Sequence, residues 1–387
     1  MKILFICGGM EPGKNGVGDY IRRLAGELIR QGHQVAVMAI NDRYVNTIIQ
    51  KQQQDGQESI CVLRFPSHMP WNDRLYKAKY FLENFHADWL SLQYVPHSFH
   101  DKGIPLALCK FLEKIQTKGV KWHFMLHELW VGELKTESFK FQIIRIIEQF
   151  ILKKIIIKLD PKLIHTSNEL YRNFLLYRLD LDAKILPVFS NINVIDKMTE
   201  LNFNSDNLFV KNIKNDRNKY FIVTNFGSYY YKWWDIKNAI SELKKKAELK
   251  GKELLLVSLG KISSEEKKHW DEFSKITKTL ILGIQSEENI IAWLYYYTDM
   301  GIVTTPYLLL NKSGSFQALK SCNVPTLVLK KSWLYRLPIT VDQSEADYFF
   351  LEEDQKIIKN EEKIFVDSAL VSITKNLIDD MKQFEDE

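Results

Sequence analysis

MKILFICGGMEPGKNGVGDYIRRLAGELIRQGHQVAVMAI, residues 1–40, decides the fold class. MKILFIC is an apolar run that enters a loop carrying Gly8, Gly9, Gly13, Gly16 and Gly18, and the loop enters a helical pattern. Val17, Tyr20, Ile21, Leu24, Leu28 and Ile29 recur at three- and four-residue spacing, while Arg22, Arg23, Glu27 and Arg30 take the other face. Gly32 ends the helix, as glycine commonly does just past a last turn. QVAVMAI then reads as a strand buried on both faces, so residues 2–40 predict one βαβ unit of a parallel sheet. Glycines in such a loop admit positive φ and close backbone approach, and the helix start presents N–H groups, so a phosphate is the expected guest.

The spacing departs from the dinucleotide fingerprint G-x-G-x-x-G, because the loop is longer and Gly16-Val17-Gly18 stands at the helix entrance after Lys14 and Asn15. That disfavours a dehydrogenase, although Asp42 stands past the second strand where an acidic ribose partner would sit. A second reading of the same residues is a βαβ unit whose glycines only make a tight turn.

A chain of 387 residues has room for two or three domains. Cys7, Cys61, Cys109 and Cys322 are dispersed and form no C-x-x-C pair, which points to neither a zinc site nor a disulfide framework and fits a reducing, cytoplasmic setting. No signal peptide is expected, since MKILFIC runs directly into the glycine loop as a first strand. Residues 289–311 carry Asp299 as their one charge, but Asp299, Gly301 and Pro306 divide them, so no transmembrane helix is expected there. Residues 1–190 hold 26 Lys and Arg against 19 Asp and Glu, whereas 191–387 hold 27 against 29. The basic first half suits an anionic partner or plain solvation.

Strand-like runs at 60–65, 88–94, 120–126, 163–166 and 184–189 alternate with helical stretches. An asparagine-rich segment, 191–218, reads as a linker after a first domain of 1–190. A second βα series follows at 220–228, 253–260, 279–284, 300–305 and 324–329, predicting a second domain over 219–360. The charged end of the chain, with Ile357, Ile358, Ile364 and Phe365 as scattered apolar points, predicts a solvated C-terminal helix at 361–387. The fold class is therefore α/β, with two Rossmann-like domains and a cleft between them, and ligands beyond the carboxyl ends of the strands.

GVGDYIRRLAGELIRQGHQVAVM, LQYVPHSF (92–99), FMLHELW (124–130), LPVFSNI (186–192), TNFGSYYYKWWD (224–235) and NKSGSFQALKSCNVPT (311–326) stand in an order that resembles a family. Over residues 1–330 the chain resembles the GT-B glycosyltransferases, specifically retaining, nucleotide-sugar-dependent glycosyltransferase family 4. The resemblance implies transfer of a hexose-like sugar from a nucleotide-diphosphate donor to a glycan or lipid-linked acceptor, with retention and without metal or further cofactor. It also suggests surface polysaccharide or glycolipid synthesis, with no nucleic-acid partner. A catalytically inactive binding or scaffold protein and a sugar-nucleotide epimerase are the alternatives.

Loss of a diphosphate leaving group develops negative charge, which needs fixed donors and a cation. Lys232 matches the family's lysine and is the expected cation; the other reading is a solvated lysine at a helix start. His127, at a strand end, is implied to contact the donor sugar near the reacting carbon, against a purely structural histidine. Gly16, Val17, Gly18, Asp19, Gly227, Ser228, Lys312, Ser313, Gly314, Ser315 and Gln317 are the expected donor contacts, with simple N-capping open for Ser313 and Ser315. Gln93, Tyr94, His97 and Glu128 are expected on the acceptor side, against an aromatic strand end packed on a helix. The chain departs from the family where two glutamates eight positions apart are replaced by Leu310 and Ala318, and where an arginine gives way to Ser228-Tyr229-Tyr230-Tyr231. Asp180 and Asp182 are assigned to solvent rather than to a metal. FKFQIIRIIEQFILKKIIIKLDPK (139–162) reads either as a basic amphipathic helix on an anionic membrane surface, at the inner face of a membrane, or as a domain helix packed on the sheet.

Overall fold

A computed structural model describes residues 1–192, 213, 216–227, 233–329, 333–339 and 369–384. Lys232, Ser228 and the apolar points Ile357, Ile358, Ile364 and Phe365 lie outside the described residues. The chain divides into two compact units, the first built from 1–189 with 334–339 and the C-terminal segment 369–384, the second from 190–333.

The first unit is an eight-stranded sheet of β1 (Lys2–Cys7), β2 (Gln34–Asp42), β3 (Ile49–Asp55), β4 (Glu58–Pro66), β5 (Trp89–Tyr94), β6 (Lys121–Leu126), β7 (Leu163–Thr166) and β8 (Lys184–Ile185), in the order β3-β4-β2-β1-β5-β6-β7-β8. All neighbours are parallel except the β3/β4 hairpin. β1 is central and buried from Ile3 to Cys7, because helices cover both of its faces. The order reverses at β1, with β2 on one side and β5 on the other. Its carboxyl end is thus the topological switch point, where open α/β sheets receive ligands, and the glycine loop leaves from there.

Three features depart from the sequence reading. IQKQQQD forms β3 although it has no apolar alternation. Its inward Gln53 and Asp55 meet the basic face of the Gly16–Arg30 helix: Arg22 Nε donates to Gln53 at 3.0 Å, and Arg30 and Arg23 lie 3.2 and 3.5 Å from Asp55. The charged face of this helix is therefore paired with β3. β8 stops at Ile185, since Pro187 has no N–H to continue a ladder. The C-terminal helix Ala369–Lys382 is not a solvated cap, because Ile373, Leu377, Ile378 and Met381 are buried in one core with Ile3, Phe5, Ile21 and Leu24.

The second unit is an all-parallel sheet of β9 (Tyr220–Phe226), β10 (Glu253–Leu259), β11 (Lys278–Gly283), β12 (Met300–Val303) and β13 (Thr326–Val328), ordered β11-β10-β9-β12-β13. Alternate residues feed two cores, Ile222, Leu255 and Val257 on one face and Val223, Leu254 and Leu256 on the other. Here the order reverses at β9, so its carboxyl end is the second switch point. Among the described residues no helix is long and apolar enough to cross a membrane.

Candidate functional site

At the first switch point the glycine loop is held by its own side chains. Of Gly8, Gly9, Gly13, Gly16 and Gly18, only Gly13 has positive φ, +68°. Gly8 and Gly18 serve close packing instead: an added Cβ would lie 2.5 Å from Ser98 Cβ at Gly8 and 2.6 Å from the Gly9 carbonyl oxygen at Gly18. Asn15 caps the helix, accepting from Gly18 N–H at 2.8 Å, and Asp19 accepts from Gly13 N–H at 3.0 Å while pairing with Arg22 at 2.6 Å. Asp19 is thus a loop-bracing residue. Gly16 is exposed and Val17 half-buried at the first two helical positions, where backbone N–H groups have no intrahelical acceptor.

Asp42 is fully buried and accepts from Arg64 Nε at 2.8 Å, Met10 N–H at 2.9 Å and Tyr44 N–H at 2.9 Å. Arg64 reaches on to Glu11 at 2.6 Å. This network fixes the loop, and it occupies the carboxylate that a ribose would otherwise need.

His127 follows β6 and is 7% exposed. Its backbone N–H donates to the Tyr94 carbonyl at 3.0 Å, and Tyr20 of the first helix packs edge-on against the ring at 5.0 Å. The fold therefore brings the helix start at Gly16–Asp19 and His127 to one end of the sheet. Nε2 of His127 lies 2.8 Å from Gln93 Oε1, so Gln93 holds the histidine and is itself 1% exposed. Tyr94 is buried and stacks with Phe99 at 6.2 Å, as a packed aromatic strand end does. His97 is exposed and lies 3.3 Å from the Asp101 carbonyl, and Glu128 is half-buried.

Sequence reasoning missed two groups here. Tyr20 belongs to the helix's apolar face by its spacing, yet its hydroxyl is buried without a hydrogen-bond partner among the described residues. Glu148 sits inside the Phe139–Leu159 helix at 2% exposure, accepts from Val131 N–H at 3.0 Å, and burial pushes its carboxyl up to about 7. The same helix buries Ile151, Leu152, Ile155 and Leu159 against the unit while Phe139, Ile143, Ile146, Phe150 and Ile157 stay exposed. Asp182 is exposed and paired with Arg172 at 2.9 Å. Among the described residues no group of three His, Cys, Asp or Glu could hold a metal ion.

In the second unit, β9 is followed by Gly227, with φ +80°, where an added Cβ would lie 2.6 Å from Ser315 Oγ. Two candidate donor contacts, distant in sequence, are therefore adjacent. Gly260 joins them, since its Cβ would lie 3.4 Å from Gly227 N. The signal that could have found it is a repeated strand ending, TNFG, VSLG and LILG, with positive φ at Gly227, Gly260 and Gly283. Ser313 caps the Gly314–Ser321 helix, accepting from Phe316 N–H at 3.3 Å, so its N-cap role is the structural one. Gly314 is exposed and opens the helix, Lys312 and Gln317 are half-buried, and Leu310 and Ala318 are buried apolar residues.

No family model matches this chain, and no curated protein matches it. Solved structures do. Sucrose-phosphate synthase from Thermosynechococcus elongatus aligns over 98% of this chain and 90% of its own, with 13% identity and a TM-score of 0.54. The trehalose-6-phosphate protein from E. coli, bound with UDP-2-fluoro glucose, aligns over 85% and 84% with 11% identity and a TM-score of 0.50. The α,α-trehalose 6-phosphate synthase from Burkholderia multivorans aligns over 84% and 83%, also at 11% identity and 0.50. At these identities the likeness establishes the fold: two Rossmann-like parallel-sheet units in one chain, the GT-B architecture.

Proposed function

We propose that this protein is a glycosyltransferase that moves a sugar from a nucleotide-diphosphate donor to an acceptor. The observation that carries this is the second switch point, where Gly227 and Gly260 hold backbone bare beside Ser315 in the first turn of a helix. Bare backbone and first-turn amides at a strand end suit a diphosphate without a metal. The GT-B fold of proteins that bind UDP-2-fluoro glucose or make sucrose phosphate supports the same reading. Lys232 would supply the cation for the leaving diphosphate, and His127 would face the donor sugar. Retention and the family 4 mechanism rest on the motif resemblance.

The test is a screen of nucleotide sugars for thermal stabilisation, then NMR of the product's anomeric configuration. An inverted product removes the family 4 mechanism, and donor conversion without acceptor replaces transfer by epimerisation. Single-turnover transfer unchanged in Lys232→Ala removes that lysine's role. One observation favours a second reading, an inactive donor-binding scaffold: Leu310 and Ala318, 1% and 2% exposed, stand where the family has donor-binding glutamates. Donor binding without turnover, against any acceptor, identifies that case.

The acceptor is proposed to be lipid-linked, with the first unit resting on an anionic membrane surface. The exposed Phe139, Ile143, Ile146, Phe150 and Ile157 form one helical stripe flanked by exposed Lys140, Lys153 and Lys154. Co-sedimentation with vesicles containing phosphatidylglycerol should fall in an Ile146→Ser/Phe150→Ser double variant. Equal co-sedimentation would remove the stripe from the argument.

A further inference from the structure

Behind His127 a continuous series of polar side chains crosses the apolar core of the first unit. His127 Nε2 lies 2.8 Å from Gln93 Oε1, Gln93 Nε2 donates to Ser91 Oγ at 2.8 Å, and Ser91 Oγ lies 2.8 Å from His123 Nδ1. His123 Nε2 lies 3.0 Å from His165 Nδ1, and His165 Nε2 lies 2.9 Å from Asp380 Oδ2 on the C-terminal helix. Lys184 closes the series at 2.5 Å from Asp380 Oδ1. Sheet register explains the alignment: Ser91 is opposite His123, Gln93 opposite Met125, and Met125 opposite His165, so these side chains share one face. Ser91, Gln93, His123 and His165 are each at most 1% exposed.

The end of the series dictates the direction of every bond in it. Lys184 and His165 hold the Asp380 carboxyl below its usual range against the burial that raises it, and an ionised carboxylate only accepts. Burial keeps His123 and His165 neutral, so each imidazole carries one proton. His165 must then donate through Nε2 and accept at Nδ1. His123 in turn donates through Nε2 and accepts at Nδ1 from the Ser91 hydroxyl. Ser91 accepts from the Gln93 amide, which turns Gln93 Oε1 toward His127.

We infer that Asp380 governs His127 through this relay, fixing a proton on its Nε2. Asp380 is then a positioning residue about which the primary sequence around His127 says nothing. Its effect on transfer rests on the reading of His127 as a donor-sugar contact; the proton on Nε2 does not.

The test uses the full chain labelled with ¹⁵N-histidine, in two-bond ¹H–¹⁵N correlation NMR at pH 7.5, with signals assigned from single-histidine variants. His123 and His165 should each show a pyrrole-type Nε2 and a pyridine-type Nδ1 in the wild type, and His127 a pyrrole-type Nε2. Any of the three in the opposite tautomer overturns the inference, without recourse to a variant that could fail to fold. In Asp380→Leu, Lys184 can donate to His165 and reverse every link, so His127 should lose its Nε2–H pattern, whereas Lys184→Met should leave it intact. An unchanged His127 pattern in Asp380→Leu overturns the relay. UDP-sugar affinity should fall about tenfold in Asp380→Leu, the worth of one misdirected hydrogen bond. A reversed tautomer with unchanged affinity supports the relay and overturns the role of His127 in donor binding.

Discussion

Replacing Glu148 by Gln should stabilise the first unit at alkaline pH and leave it unchanged below pH 4.5. Glu148 is 2% exposed, beside Tyr94 and Gly103, and it accepts a hydrogen bond from Val131 N–H at 3.0 Å. Burial raises the carboxyl from 4.5 to about 7, so between these values the folded chain holds a proton that the unfolded chain releases. Stability from this group is complete below pH 4.5 and declines as pH rises to about 7, by about 3 kcal/mol at 1.36 kcal/mol per unit. Glutamine keeps the acceptor for Val131 and never ionises. The difference between variant and wild type should therefore be near zero below pH 4.5, about 0.7 kcal/mol at pH 5, and approach about 3 kcal/mol above pH 7.5. Hydrogen exchange of peptides from 139–159, measured across urea at pH 5 to 9, reads this unit alone. A difference that does not vary with pH refutes the reasoning.

Gly26→Ala should destabilise by about 1 to 3 kcal/mol, because the new Cβ would lie 2.2 Å from Asp55 Oδ2 and 2.7 Å from Asp55 Cβ. Gly16→Ala has nothing within 4 Å and should stay within about 0.5 kcal/mol in the same urea titration. Arg64→Ala leaves the fully buried Asp42 carboxylate without its ion-pair partner and should cost about 3 to 5 kcal/mol, read as a loss of urea resistance. His123 is held well below the usual histidine range by burial and by its neighbours His165 and His127, so its stabilising contribution is complete above about pH 6.5 and is lost as pH falls. His123→Gln should flatten the acid limb of the thermal-denaturation profile below that pH.

The parallel strands were legible because β1, β2, β5, β6, β9 and β10 are covered on both faces and so read as continuous apolar runs. β3 was illegible for the converse reason, since a run of glutamines becomes a strand only when Gly56 turns the chain and Arg22 and Arg30 supply partners. In the C-terminal helix the charges masked Ile373, Leu377 and Met381, whose four-residue spacing was the available signal. The candidate site divides in the same way. Residue types at strand ends, His127 and Gly227, could be read from order along the chain. What Asp19 and Asn15 bind could not, because a glycine loop in sequence does not reveal which of its amides its own side chains already occupy.

The seam from His127 to Asp380 and the Tyr20 hydroxyl raise opposite energetic questions at one place. Every member of the seam has its hydrogen bonds, yet a fully apolar replacement of a buried polar network is often neutral or stabilising. Its presence is therefore better explained by orientation than by stability. Tyr20 packs on His127 with a buried hydroxyl that finds no partner among the described residues, an omission that costs about 1 to 3 kcal/mol in the free chain. Tyr20→Phe should accordingly hold or raise the melting temperature of the free protein, since the ring keeps its contacts with His127 and Phe189. If the hydroxyl exists to meet a donor sugar, the same variant weakens nucleotide-sugar binding while the free protein gains stability. A variant that melts earlier than the wild type would mean that the hydroxyl already has a structural partner, and the energetic case for a ligand at Tyr20 would fall.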